Sequence, residues 1–401
     1  MLSVTEARDR ILALLAPTGS EIVTLAEAAG RVLAAPVVAR LTQPPLDVSA
    51  MDGFALRAAD ATVGARLRII GAAPAGHPFA GSVGAGEAVR LFTGSVVPSG
   101  ADCIVIQEDT TFDDDVVILN AAGHPGKHVR GAGLDFTIGD VLLEPGRRLT
   151  ARDIGLAAAA NHPWLTVHRK PIIAVLATGD EIAMPGDPIP PGGIVSSNSH
   201  ALAGFIRAVG GVPIILPIAL DDRAAIATAA QAAARADLLI TTGGASVGTH
   251  DLVQAGLADL GLDLDFWKIA MRPGKPLMFG RLGALPVLGL PGNPVSAMVC
   301  ALLFGKPAIE RLCGLPGDPP PSEPARCTIP LAANDQRADH LRATLTRDAD
   351  GSWLVTPFGP QDSSLLRRLA LADAVVLRAP YARAEPAGTV VDIIRLAACG
   401  L

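Results

Sequence analysis

Between Leu238 and Asp251 the chain reads LLITTGGASVGTHD, an unbroken apolar run that passes through two threonines and paired glycines to an aspartate. A run so short and so apolar reads as a strand buried on both faces, which requires helices to cover each side. The texture recurs in IIAVLATG from Ile172 and VPIILPIAL from Val212. Helical stretches, SHALAGFIRAVG and the alanine-rich Asp222 to Ala236, lie between these runs. Alternation of β and α at this spacing predicts a doubly wound parallel sheet over residues 171–316. Such sheets bind ligands at the C-terminal edge of their strands. Glycines there let backbone N–H groups approach an anion, and Thr241, Thr242 and Ser246 add hydroxyl donors.

The rest of the chain has other textures. Ser3 to Leu15 predicts a capped amphipathic helix, Leu25 to Leu33 a second short one, and Ala151 to His162 a third. Residues 44–136 break into short β-rich pieces separated by Gly and Pro, such as RLRIIGAAPAG and CIVIQEDTTFDDDVVIL, and predict a small β-rich domain. After the linker LPGDPPPSEP, residues 317–401 predict a small terminal β domain.

With 401 residues, half of them hydrophobic, several cores are affordable and disorder is not expected. A single Tyr, three Trp and a net charge of −6 argue against a nucleic-acid partner. Any anionic ligand must therefore meet a local basic cluster. Five cysteines without CxxC spacing (Cys103, Cys300, Cys313, Cys327, Cys399) read as reduced buried thiols. The opening MLSVTEARDRILALLAP lacks the pattern of a signal peptide, and no apolar run reaches membrane-spanning length. A cytoplasmic protein without a membrane partner is expected.

Further segments share the chemistry of the first. LATGDEI puts Thr178, Gly179, Asp180 and Glu181 at a strand end; MRPGKP sets Arg272 and Lys275 around a Pro–Gly turn soon after Lys268. LGLPGNPVSA reads as strand, turn (Pro291, Gly292) and helix start, with Asn293 placed to cap, Pro294 at the first helical position, and an end suited to phosphate. Carboxylates Glu181, Asp221 and Asp251 are candidates for holding Mg²⁺, a hard cation that favours oxygen ligands. Lys268, Arg272 and Lys275 are candidates for an oxyanion. In the β-rich part, SAMDG, TGSVVPSGAD and GLDFTIGD stand out, with Asp102 and Asp140 read as turn formers and Asp113 to Asp115 as a solvated hairpin tip. His124 and His128 flank Pro125 and Gly126, which argues against a helical metal pair.

SAMDGFA, TGSVVPSGAD, RGAGLDFTIGD, TGDEI, TTGGASVGTHD, RPGKP and LPGNPVSA stand in the order and spacing of the MoeA family. The chain resembles these molybdopterin molybdenumtransferases, which include the gephyrin E domain, over essentially its whole length. The resemblance implies that residues 1–43 with 137–170 form an elongated, helical N-terminal domain. It further implies an inserted β-rich domain (44–136), an α/β molybdopterin-binding domain (171–316) and a C-terminal β-barrel-like domain (317–401). It also implies insertion of molybdate into adenylylated molybdopterin with Mg²⁺, giving molybdenum cofactor and AMP, in a homodimer whose cleft lies between the α/β domain of one subunit and the β domain of the other. Molybdopterin adenylyltransferase and cofactor-receiving enzymes are the further partners it suggests.

Carried over by motif, the site residues are Glu181, Asp221, Asp251, Lys268, Arg272 and Lys275 in the α/β domain, beside Thr178, Gly243, Gly244, Ser246, Pro291 and Asn293. Asp52, Thr93, Arg130 and Asp135 come from the β domain, and Ser363 from the terminal one. Glu181, Asp251, Asp221, Asp52 and Lys275 are assigned to the chemistry, the first three as metal ligands; Glu181 acting instead on a water stays open. Leu134 stands where the family commonly has Glu, Arg272 where a bacterial-type lysine is frequent, and Phe54 for a common tyrosine. Molybdopterin adenylyltransferase, which uses a similar α/β domain and TTGG turn, and a non-enzymatic scaffold are the alternatives.

Overall fold

The computed structural model describes residues 1–243 and 252–401. Gly244, Ser246 and Asp251, all singled out above, lie outside the described residues.

The apolar runs form the centre of a six-stranded sheet in the order Val212–Ile215, Ile172–Ala177, Leu238–Thr242, Leu285–Leu290, Met278–Leu282, Leu262–Trp267. Alternate residues of a continuous apolar run serve opposite cores, because successive side chains leave a strand on opposite faces. Ile173, Val175, Leu238 and Ile240 pack with the helix Asn198–Val209 and the helical stretch from Pro294 to Leu312. Ala174, Leu176 and Leu239 pack under the helices Arg223–Gln231 and Leu252–Asp259. Full burial of one such aliphatic side chain is worth roughly 1.5–3 kcal/mol.

The sheet departs from the all-parallel expectation at one strand. The first four strands in that order are parallel, but Met278–Leu282 runs antiparallel to both neighbours. It enters Leu285–Leu290 through a two-residue hairpin whose Gly283 has φ +58, too tight for the helical crossover a parallel pair needs.

Helix Val4–Ala13 has the expected capping box: the Glu6 amide donates to Ser3 Oγ (3.2 Å) and the Ser3 amide to Glu6 Oε2 (2.8 Å). Its Ala7 and Ile11, with Leu15 just past its end, join the core of the α/β unit instead of the N-terminal segments beside which the sequence placed them. The second helix is shorter than expected, Leu25–Ala28, because Gly30 turns the chain at φ +75 before Val32 and Leu33 take up β-bridges. Strand Ser20–Thr24 pairs with Trp164–His168, and Val37–Val38 with Val141–Leu143, joining the segments on either side of the β-rich insertion.

That insertion is a second six-stranded sheet with Phe54, Leu56, Val105 and Val117 in its core. Asp113 forms the expected hairpin tip, its Oδ1 accepting from the amides of Asp115 and Val116. Asp102 does not form a local turn: its Oδ1 accepts from the distant Ala58 amide at 2.7 Å. In the C-terminal part, strand Ala338–Arg347 pairs with both Trp353–Pro357 and Ala374–Arg378. Glu323–Cys327 and Val390–Arg395 complete a closed ring of five strands. All five cysteines are buried and free.

Candidate functional site

Three parallel strands deliver their C-terminal ends to one side of the α/β sheet. Ile172–Ala177 leads into Thr178–Glu181, Leu238–Thr242 into Gly243, and Leu285–Leu290 into Pro291–Asn293. A cleft of about 740 Å³ opens there, and Glu181, Gly243, Lys275, Pro291 and Asn293 line it together. Two glycines make the close approach feasible. Gly243 has φ +102, and a Cβ on it would lie 2.4 Å from the Thr178 carbonyl oxygen; Gly179 has φ +147, and a Cβ there would meet the Glu181 carboxylate at 2.6 Å.

The floor of the cleft is fixed by a residue the sequence reading passed over. Asn198 Nδ2 donates to Thr242 Oγ1 (2.8 Å) and to the Gly292 carbonyl (2.7 Å), tying two strand ends together. It sits at the first turn of the helix Asn198–Val209, in a Ser/Asn cluster after a glycine turn, which was the available signal. Thr178 is buried, and its Oγ1 has no hydrogen-bond partner among the described residues.

Carboxylates gather beside the cleft residue Glu181. The Asp221 amide donates to Asp180 Oδ1 at 2.9 Å. The Asp221 carboxyl is raised above its ordinary pKa, first by lost solvation and then by the negative charges of Asp180 and Glu181. Asp180 was placed at the strand end by the sequence but was not among the assigned site residues. Among the described residues no group of three His, Cys, Asp or Glu side chains is set to hold a metal ion.

The cations divide. Lys275 is half-buried in the cleft wall and has no ion-pair partner among the described residues. Arg272, expected to grip an oxyanion with its planar fork, spends that fork on Asp339 of the C-terminal part, through Nε to Oδ1 (2.8 Å) and Nη2 to Oδ2 (2.6 Å). The cause is the β pairing of Met271–Arg272 with Ala338–Asp339, which sets the two side chains side by side. Lys268 takes a left-handed backbone (φ +77) and lays Nζ 3.8 Å from the Trp267 ring centroid, outside the residues that line the cleft.

The C-terminal part closes another wall with Ser364 and Leu366. Asn293 stands at the N-cap position of helix Pro294–Cys300 but does not cap it. Its Nδ2 donates to Ser363 Oγ at 2.9 Å, while the Val295 amide reaches the Ser363 carbonyl. Buried Arg342 holds this segment from beneath, donating to the carbonyls of Leu365 (3.1 Å) and Asp362 (2.8 Å) and to Gln361 Oε1 (3.3 Å).

The β-domain residues form a separate group. Asp52 Oδ1 accepts from both the amide (2.7 Å) and the hydroxyl (2.9 Å) of Thr93, which hold its carboxyl below the ordinary range. Arg130 is exposed beside Val48 in a short strand pair, and Asp135 is exposed in the turn that follows. Among the described residues no hydrogen bond or ion pair links this group to the cleft.

Comparison with known proteins accounts for all parts of this architecture. Residues 2–161 match the MoeA N-terminal region (domain I and II), residues 174–311 a probable molybdopterin binding domain, and residues 324–396 the MoeA C-terminal region (domain IV). The chain belongs to the MoeA family. Its relatives include a molybdopterin molybdenumtransferase of Haemophilus influenzae, 34% identical over 381 residues and covering 94% of each chain. The molybdopterin molybdenumtransferase 2 of Mycobacterium tuberculosis is 37% identical over 388 residues, 94% of this chain and 95% of its own. The crystal structure of a molybdopterin biosynthesis MoeA protein from Pyrococcus horikosii superposes with a TM-score of 0.86 at 28% identity, covering 98% of this chain and 99% of that one. MoeA architecture thus unites the α/β cleft with a β-rich insertion and a terminal barrel in one chain. No helix among the described residues is long and apolar enough to cross a membrane.

Proposed function

We propose that this chain is a molybdopterin molybdenumtransferase, which inserts molybdate into adenylylated molybdopterin and releases AMP. The observation that carries the reading is the cleft at three strand ends, lined by Glu181 and by Lys275, which has no ion-pair partner among the described residues. Relatives named for this activity match nearly the whole chain. Lys275 attracts the molybdate dianion by charge, and the glycine turn at Gly243 leaves backbone amides near an anionic ligand. Asn293, which lines the cleft, and the Ser363 bonded to it supply amide and hydroxyl groups that orient the pterin and nucleotide, with buried Thr178 behind them. Catalysis of this kind is positioning plus electrostatic stabilisation of a phosphoanhydride under cleavage.

Among the described residues no three carboxylates are set to hold a metal ion, so Mg²⁺, which favours hard oxygens such as those of Glu181 and Asp221, would need Asp251 as well. Glu181, Asp221 and Asp251 would hold it, and its charge would screen the nucleotide's phosphates. The other wall is supplied by Asp52, Thr93, Arg130 and Asp135 of a second subunit in a homodimer. This would account for two groups of site residues that no hydrogen bond or ion pair joins among the described residues. We place Arg272 in this scheme behind the cleft, where its bond to Asp339 steadies the turn that bears Lys275, and Lys268 at the edge of the same turn. A cytoplasmic location and contact with cofactor-receiving enzymes complete the proposal.

Replacing Glu181 with Gln or Asp251 with Asn is expected to abolish AMP release from adenylylated molybdopterin supplied with molybdate. Wild-type yields from both variants would remove these carboxylates from the chemistry.

A further inference from the structure

A second cavity, of about 230 Å³, lies away from the cleft, on the seam between the N-terminal segments and the α/β unit. Its lining is strongly basic: Arg31, Arg148, Arg169, Lys170 and Arg207 surround it, with Cys313 at its wall. Three of these cations already have carboxylate partners. Arg31 pairs with Glu21, Arg169 with Asp237 in a two-point contact (3.0 and 2.7 Å), and Arg148 reaches Glu310 at 3.6 Å. Glu310 is shared, since Lys306 Nζ holds its other oxygen at 2.7 Å. Lys170 and Arg207 have no carboxylate partner among the described residues, so the cavity keeps an excess of positive charge.

Helix ends do not explain that excess. Helices Asn198–Val209 and Lys306–Leu312 both finish at this cavity, and cations commonly serve the free carbonyls of such ends. Here the ends are capped by backbone. The amides of Gly210 and Gly211 satisfy the carbonyls of Arg207 and Ile206, and those of Cys313, Gly314 and Leu315 satisfy Ile309, Arg311 and Glu310. Arg207 adds only a long bond to the Ala203 carbonyl of its own helix (3.4 Å). The remaining charge faces the cavity without a partner.

We propose that this cavity binds a small tetrahedral oxyanion of the phosphate class, bridging Lys170 of the N-terminal segments and Arg207 of the α/β unit. An arginine fork matches two oxygens of such an anion and the lysine supplies a point charge. The volume lies below the ~300 Å³ at which pockets for larger organic ligands begin, so a small anion matches it better than a nucleotide or a pterin. The occupant crosses the seam and ties the two units together, which makes it a structural ligand separate from the reacting molecules.

The test titrates inorganic phosphate, and in a second arm molybdate, by calorimetry into the full chain at constant ionic strength. The wild type, Lys170→Ala/Arg207→Ala and Lys275→Ala are compared. Both substituted residues of the double variant are exposed, so its fold is expected to persist, and its circular dichroism and melting curve verify that. Phosphate is expected to bind the wild type and Lys275→Ala alike and to lose at least tenfold in affinity in the double variant. If molybdate follows the same pattern at this site, the cavity reads tetrahedral shape; if only phosphate does, it selects the smaller anion. No phosphate binding by the wild type, equal binding by the double variant, or loss confined to Lys275→Ala would overturn the proposal.

Discussion

The Arg272–Asp339 pair offers a sharp test of how the terminal barrel serves the cleft. Arg272 is half-exposed while Asp339 is only 7% exposed, so the pair lies between a surface bridge and a buried one. Exposed pairs contribute ~0–1 kcal/mol, and breaking a fully buried pair costs ~3–5 kcal/mol. Two short charge-assisted bonds to a covered carboxylate place Arg272→Ala at about 1.5–3 kcal/mol of local stability, because Asp339 is left without its partner. Combining it with Asp339→Ala removes the orphan charge, so the double variant costs less than the sum of the singles, by a coupling of about 1–2 kcal/mol.

Lys275 follows three residues after Arg272 in the same turn, so release of the pair should be felt by molybdate. A positioning role predicts that Asp339→Ala raises the molybdate KM as much as Arg272→Ala does, with the double variant no worse than either. Stability would be followed by urea denaturation across the four-variant cycle, and KM by AMP release. A coupling under about 0.5 kcal/mol would refute the lock. So would a raised KM in Arg272→Ala with none in Asp339→Ala, which would return Arg272 to direct contact with the oxyanion.

Other outcomes follow from single features. Gly243→Ala forces a Cβ to 2.4 Å from a backbone oxygen at φ +102, so it should lower the melting temperature and remove activity, while Gly192→Ala, with open space around it and φ +81, should lose stability only. Because the folded Asp221 carboxyl is raised, the native state binds its proton more tightly than the unfolded chain; this stabilises below the ordinary carboxylate pKa and is lost as pH rises through the folded one. Asp221→Asn should therefore melt higher than wild type at neutral pH in metal-free buffer, with the advantage vanishing in acid; an equal gap at both pH values would contradict the repulsion. Asp180→Asn, which removes a like charge, should move the acid limb of the AMP-release profile to lower pH, and an unmoved limb would separate Asp180 from Asp221.

Much of the fold was legible because its signals are local. Ser3 and Glu6 cap a helix three residues apart, and Asp113 closes a hairpin on its immediate neighbours. The strand ends that carry Glu181, Gly243 and Pro291 were legible for a related reason, since a strand leaving a core must turn, and only small residues allow a backbone to approach a ligand there. Asn198 and Arg342 were not legible. Their roles depend on partners tens of residues away, across strand ends in one case and beneath a loop in the other. The same distance misdirected Arg272: beside a Pro–Gly turn it looks like an oxyanion ligand, and only the β pairing with Ala338–Asp339 gives its fork another partner.

By itself the sequence determined the alternation of β and α, the β-rich insertion, the glycine turns and which residue types stand at them. These follow from hydrophobic periodicity and backbone sterics, which act over a few residues and are written in order along the chain. Tertiary structure alone decided that Met278–Leu282 runs against its neighbours and that the first helix packs on the α/β core. It also decided which charges are spent on each other, as Arg272 is on Asp339, and which have no ion-pair partner among the described residues, such as Lys275. A charge's role depends on what stands within about 4 Å of it, because water and salt screen more distant charges, and that neighbour is fixed by packing instead of by order in the chain.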